Sequence, residues 1–130
     1  PGLLAGSANR IEAACEAARL AGCVVLLKGA DTVIAGEGQV PVINRHASPA
    51  LATAGSGDVL AGLIGGLMAQ SVPAFEAACS AAWLHGDAGL RLGQGLIAED
   101  LPGMLPQVLQ ALSDEIARER AMARLDASDR

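Results

Sequence analysis

The residues "CVVLLKG", Cys23 to Gly29, constrain the fold more than any other stretch of this chain. A continuous apolar, β-branched run ended by glycine reads as a strand buried on both faces. Just before it, "SANRIEAACEAARLAG" from Ser7 has Ser or Asn in cap position and Gly22 as a stop. Ile11, Ala14, Cys15, Ala18 and Leu20 fall roughly on one side, so the segment reads as a helix of about three turns. A helix feeding a doubly buried strand is half of an α/β unit, the arrangement in which helices cover a sheet.

The remaining residues fit that class. The chain has 130 residues, 52% hydrophobic and 18% charged, the make-up of one soluble globular domain. With one Trp, one Phe and no Tyr, its core must come from Ala, Leu, Val and Ile at close approach. A net charge of -5 with no basic stripe argues against nucleic acid as a partner and leaves small molecules. Cys15, Cys23 and Cys79 are odd in number and form no C-x-x-C, which suggests reduced thiols in a cytoplasmic protein rather than disulfides or zinc. No signal peptide opens the chain, and the longest apolar run, residues 59–69, falls short of the ~20 residues of a membrane span. Starting at Pro1 without an initiator Met, the chain reads as cut from something longer.

Downstream, Thr32 to Ala35 and residues 39–43 flank Gly36-Glu37-Gly38 and predict a hairpin, giving a mixed sheet. Residues 45–53 lack periodicity and include Pro49, so they form a loop. Helices are predicted over 57–70, over 73–93 with Pro73 at its first position, and over 98–112 with Glu99 and Asp100 in an acidic first turn. Gly62, Gly65, Gly66 and Ala69 form a small-residue face expected to pack on the sheet. Residues 113–130 are a highly charged tail, helical or disordered and solvated, with no chemistry assigned.

The chemistry concentrates where the loop enters the first of those helices, at "LATAGSGDVLAGLIGGLMAQ". First-turn N–H groups lack partners within a helix, and the aligned peptide dipoles make that end partly positive. Gly55 and Gly57 remove the Cβ atoms that would hold a phosphate away, so consecutive amides can converge on one oxygen. Asp58 beside an anion is repulsive unless it is aimed at a hydroxyl that must lose its proton, which is a general-base role. The local chemistry leaves a plainer reading open, in which Ser56 or Asp58 caps the helix and the glycines make the turn. Rossmann and P-loop motifs are excluded, because Leu60 stands at the third glycine position and no lysine opens the helix. Lys28 alone reads as a strand-end lysine with its head in water. His46 reads as an exposed loop residue without a partner, and His85 as a packing or hydrogen-bonding residue.

Taken together, "LLKGADTVIA", "ATAGSGDVLAGLIGGLMAQ", "AAWLHGDAG" and "GLIAEDLPGMLPQVLQAL" resemble the C-terminal half of the NAD(P)H-hydrate dehydratase family, whose domain is ribokinase-like. The resemblance runs from about Leu20 to Leu112. It implies a three-layer α/β/α fold, with residues 1–112 the C-terminal part of one ribokinase-like domain. By the same resemblance, Lys28, Gly29, Ala30, Asp31, Thr32 and Gly57 line the AMP moiety of a nucleotide. Gly55, Ser56 and Gly57 handle phosphate, and Asp58 contacts the hydrated nicotinamide and activates its hydroxyl. ADP, or ATP, is the implied co-substrate with Mg2+, and no metal ligand is identified among the residues. The implied partners are hydrated NADH or NADPH, further copies of the chain, or an N-terminal half with the family's remaining strands. Two other functions share the loop: a ribokinase-like small-molecule kinase, and a truncated, non-catalytic nucleotide-binding module. Ala47-Ser48 stands where many family members carry Gly-Asn.

Overall fold

The computed structural model describes residues 9–128. The first helix, α1 (Arg10–Ala21), starts where Asn9 Oδ1 accepts the Ile11 N–H at 2.9 Å. Ser7, the other cap candidate, lies outside the described residues. Gly22, at φ 62°, ends the helix by donating its N–H to the Ala18 carbonyl, a left-handed turn that glycine adopts without a Cβ penalty. The buried stripe is Ala13, Ala14, Ala17 and Ala18. Leu20 is 55% exposed, because two residues of helix turn it by about 200° away from Ala18.

Three strands follow: β1 (Val25–Leu27), β2 (Thr32–Ala35) and β3 (Val42–Asn44), in the order β1-β2-β3. Both pairings are antiparallel, with Leu26 opposite Ile34 and Ile34 opposite Val42. The expected mixed sheet is therefore corrected to an antiparallel one among the described residues, since each connection is too short for a crossover. The doubly buried strand is β2, whose four residues are all buried, while β1 is half-buried at an edge. Strand β3 starts at Val42 rather than at residue 39, because Pro41 has no N–H for the ladder. Val40 is accordingly 82% exposed.

Period-two alternation in β2 builds the layers. Val33 and Ala35 face α1, whereas Ile34 meets Ala78 and Ala82 on the other side. That second layer consists of α2 (Ser56–Ala69), α3 (Ala74–Leu92) and α4 (Asp100–Ser128), preceded by a short 3-10 turn at Pro49–Leu51. Pro73 is the N-cap of α3, one position earlier than expected. Leu51, Leu84, Ala88, Leu96, Leu101 and Val108 pack α3 and α4 around the loop, each large side chain contributing about 2 kcal/mol by burial. Helix α4 continues through the charged tail, whose side chains are exposed from residue 113 to 127. Among the described residues, no helix is long and apolar enough to cross a membrane.

The small-residue face of α2 is the clearest departure from expectation. Gly62, Gly65, Gly66 and Ala69 are exposed, and a Cβ on any of the three glycines would meet nothing within 4 Å. Close packing on a neighbour instead occurs in α3. A Cβ at Gly86 would overlap the carbonyl oxygen of His46, and one at Gly89 would come within 2.6 Å of the Leu51 side chain. The two glycine classes should separate in denaturant unfolding. Gly65→Ala is expected to stabilise by about 0.5–1 kcal/mol through helix propensity. Gly86→Ala, driven against backbone that cannot move aside, is expected to destabilise by more than about 3 kcal/mol.

Candidate functional site

The start of α2 has no side-chain cap. Gly55 occupies the N-cap position at φ 82°, which an L side chain rarely adopts, and its carbonyl accepts the N–H groups of Asp58 and Val59 at 3.0 and 3.2 Å. The Ser56 N–H donates to the Thr53 carbonyl at 3.3 Å. The N–H groups of Gly55 and Gly57 have no acceptor among the described residues. The carboxylate of Asp58 is exposed and likewise has no hydrogen-bond or ion-pair partner among them. Neither Ser56 nor Asp58 therefore acts as a cap, and two amides with a free carboxylate stand at the positive end of a helix.

Ser56 has a different task from the one expected of it. It is 0% exposed, with Oγ 3.1 Å and its carbonyl oxygen 2.9 Å from Nε2 of His85. His85 is 4% exposed, so sequence reasoning placed it correctly as a hydrogen-bonding residue of the helix interior. Burial holds its imidazole below the ordinary histidine range, the hydrogen bond to the Ser56 carbonyl opposes this, and the charge of Lys28 reinforces it. The neutral ring then donates Nε2–H to that carbonyl.

A cleft of about 570 Å³ opens beside the loop. Lys28, Gly29, Ala30 and Thr32 form one side, and Ala47, Ser48 and Pro49 form part of the other. Gly57 neighbours this cleft, because the Lys28 Nζ lies 3.8 Å from where its Cβ would stand. Asp31 is turned away: its carboxylate pairs with Arg45 at 3.7 Å. The structure thus gathers Lys28, Gly29, Ala30, Thr32 and Gly57, leaves Asp31 behind the turn, and sets Ser56 beneath the loop.

Arg10 escaped the sequence reading. From the first turn of α1 its Nη2 donates to the carbonyls of Leu27, Lys28 and Asp31 at 3.0 to 3.1 Å, pinning the turn between β1 and β2. A Cβ at Gly29 would run into that guanidinium. A cation at a helix N-terminus opposes the dipole, and that misplacement was the available signal. His46 was also misread, since it stacks on Trp83 and bonds to Asp87. Burial opposes charge on Asp87, but hydrogen bonds from Arg91 and His46, with their charges, hold its carboxyl below the ordinary range.

The frame is that of an α/β/α protein with an uncapped glycine loop at the start of a helix. A profile of the family described as NAD(P)H-hydrate dehydratase matches residues 3–114, and the chain belongs to that family. It is 41% identical over 113 residues to an ADP-dependent (S)-NAD(P)H-hydrate dehydratase of Neisseria meningitidis, covering 85% of this chain and 38% of that protein. A bifunctional NAD(P)H-hydrate repair enzyme Nnr of Moorella thermoacetica is 46% identical, covering 83% of this chain and 21% of that one. The fold matches the Bacillus subtilis ADP/ATP-dependent NAD(P)H-hydrate dehydratase co-crystallised with ATP/Mg2+, with a TM-score of 0.73 and 32% identity. That match covers 79% of this chain and 39% of the neighbour. The chain spans about two fifths or less of the relatives' length.

His85 predicts a dependence of stability on pH. Its folded value lies below the unfolded one, so its contribution is complete above about pH 6.5 and is lost as pH falls through the depressed value. Thermal unfolding from pH 8 to 5 should show this loss in the wild type, and His85→Gln should flatten that part of the profile. In the same buffers at pH 7, Arg10→Ala should lower stability by about 1–2 kcal/mol, because three carbonyls lose one charged donor.

Proposed function

We propose that the chain supplies the nucleotide and phosphate side of an NAD(P)H-hydrate dehydratase, which uses ADP to repair hydrated NADH or NADPH. The observation that carries this reading is the uncapped start of α2, with free amides at Gly55 and Gly57, Asp58 unpaired, and the Lys28 ammonium beside Gly57. Lys28, Gly29, Ala30 and Thr32 hold the nucleotide along the strand end, with Asp31 behind them setting the turn. Gly55 and Gly57 donate to the transferred phosphoryl group, where fixed donors stabilise spreading negative charge. Asp58 takes the proton of the substrate hydroxyl as its oxygen bonds to the β-phosphorus of ADP and AMP departs. Loss of phosphate from its ring carbon, with a proton leaving the neighbouring carbon to water, then restores the nicotinamide double bond.

Among the described residues no group of three or more His, Cys, Asp or Glu gathers as a metal cage. Mg2+ usually keeps several waters and rides on phosphates, so an ion that arrives with the nucleotide needs no protein cage. Such an ion would neutralise phosphate charge. The edge of β1 and the bare face of α2 favour association, either with the portion of the domain that only the relatives carry or with further copies. Three free thiols, Cys15, Cys23 and Cys79, suit a reducing cytoplasm.

The decisive measurement is recovery of NADH absorbance from hydrated NADH and ADP. Asp58→Asn is expected to lower turnover at least about 100-fold while leaving ADP binding within about twofold. Unchanged turnover would remove the base. A phosphorylated product that accumulates would make the chain part of a small-molecule kinase, and ADP binding with no turnover would make it a nucleotide-binding module.

A further inference from the structure

One cluster has no task in that reading. The imidazole of His46 stacks on the indole of Trp83, with centroids 4.9 Å apart and planes 9° from parallel. Its Nε2 lies 2.8 Å from Oδ1 of Asp87, whose Oδ2 accepts the Arg91 Nε–H. The backbone of His46 is held as well. Its N–H donates to Asn44 Oδ1 at 3.3 Å, and its carbonyl rests against Gly86, where no Cβ fits. Asn44 is itself anchored, donating from Nδ2 to the Ala82 carbonyl at 3.0 Å. Ala82, Trp83, Gly86 and Asp87 share one side of α3, so a single helix fixes both the side chain and the backbone of one loop residue.

Ala47, Ser48 and Pro49 follow directly and form the cleft wall that faces Lys28, Gly29 and Ala30. One partly exposed hydrogen bond between side chains adds little to stability. What four converging contacts do add is direction, because they fix the path by which the chain leaves His46. We propose that His46 is a positioning residue: clamped between Trp83 and Asp87, it sets the Ala47–Pro49 wall at the spacing that a nucleoside diphosphate in the cleft requires. The inference rests on the reading of the cleft as a nucleotide site. It also has a built-in reporter, since Trp83 is the only tryptophan in a chain with no tyrosine.

The test adds ADP to the chain and follows binding by calorimetry and by Trp83 emission. In the wild type both signals should give one Kd. His46→Ala should raise that Kd about tenfold and abolish the emission response. The isosteric Asp87→Asn should do the same, and the double variant should be no worse than either single one, because both act through one contact. His46→Phe, which keeps the stacked ring, should recover part of the affinity. An unchanged Kd in His46→Ala, or additive losses in the double variant, would overturn the proposal. No heat from ADP with the wild type would instead overturn the nucleotide reading. The clamp is then judged without ligand, from NMR order parameters of the Ala47 and Ser48 amides. These should fall from about 0.85 to below about 0.6 in His46→Ala, and unchanged values would dismiss it.

Discussion

The bond between Ser56 and His85 is the interaction on which the rest of the site depends. It ties the first turn of α2 to the middle of α3, and it points the hydroxyl and carbonyl of Ser56 into the protein while its N–H is taken by Thr53. With the middle residue of Gly-Ser-Gly committed inward, the amides on either side are left without partners. A serine used as an ordinary N-cap would have satisfied the donors that an anion needs. The anchoring thus creates the vacant donors, and burial of His85 keeps the anchor neutral, so that no second positive charge is fixed beneath them.

The same logic recurs at both walls of the cleft. Both walls run through turns and loop, and each is held by a polar contact beside a glycine. Arg10 reaches from α1 to the turn at Gly29, and the His46 carbonyl reaches α3 at Gly86. Loops carry the chemistry because they can curve around a ligand. They hold a defined shape only when neighbouring elements supply partners for their backbone groups.

How far the sequence reveals this depends on the range of the forces involved. The helices were legible from local signals such as Asn9, Gly22 and Gly93, and the glycine loop was legible as a candidate site because helix ends obey local rules. The doubly buried strand was assigned to the run from Cys23 ended by Gly29, whereas the sheet centre is Thr32–Ala35. Hydrophobicity reports that a strand has apolar faces, and strand order is decided by pairing. Leu20 and the glycine face of α2 were assigned to the core because apolar periodicity does not say which neighbour is present to cover a face. Arg10, His46 and Asp87 were missed for a related reason. The contacts of Arg10 with Leu27 and of His46 with Asp87 span seventeen and forty-one residues, and local pattern does not name a long-range polar partner.

The placement of these contacts bears on what a chain of this span can do. Arg10, Ser56, His85, His46 and Asp87 all find partners within residues 9–128, so the geometry of the cleft and the glycine loop is held by this chain's own packing. Its exposed large apolar side chains are spread over several elements, among them Val42 and Ile43 on β3, Met68 on α2, Leu90 on α3 and Leu109 on α4. Where a site's supports are internal, association adds walls to a preformed loop instead of building the loop. The anchored glycine loop and the surfaces left bare for association are then separable parts of the chain.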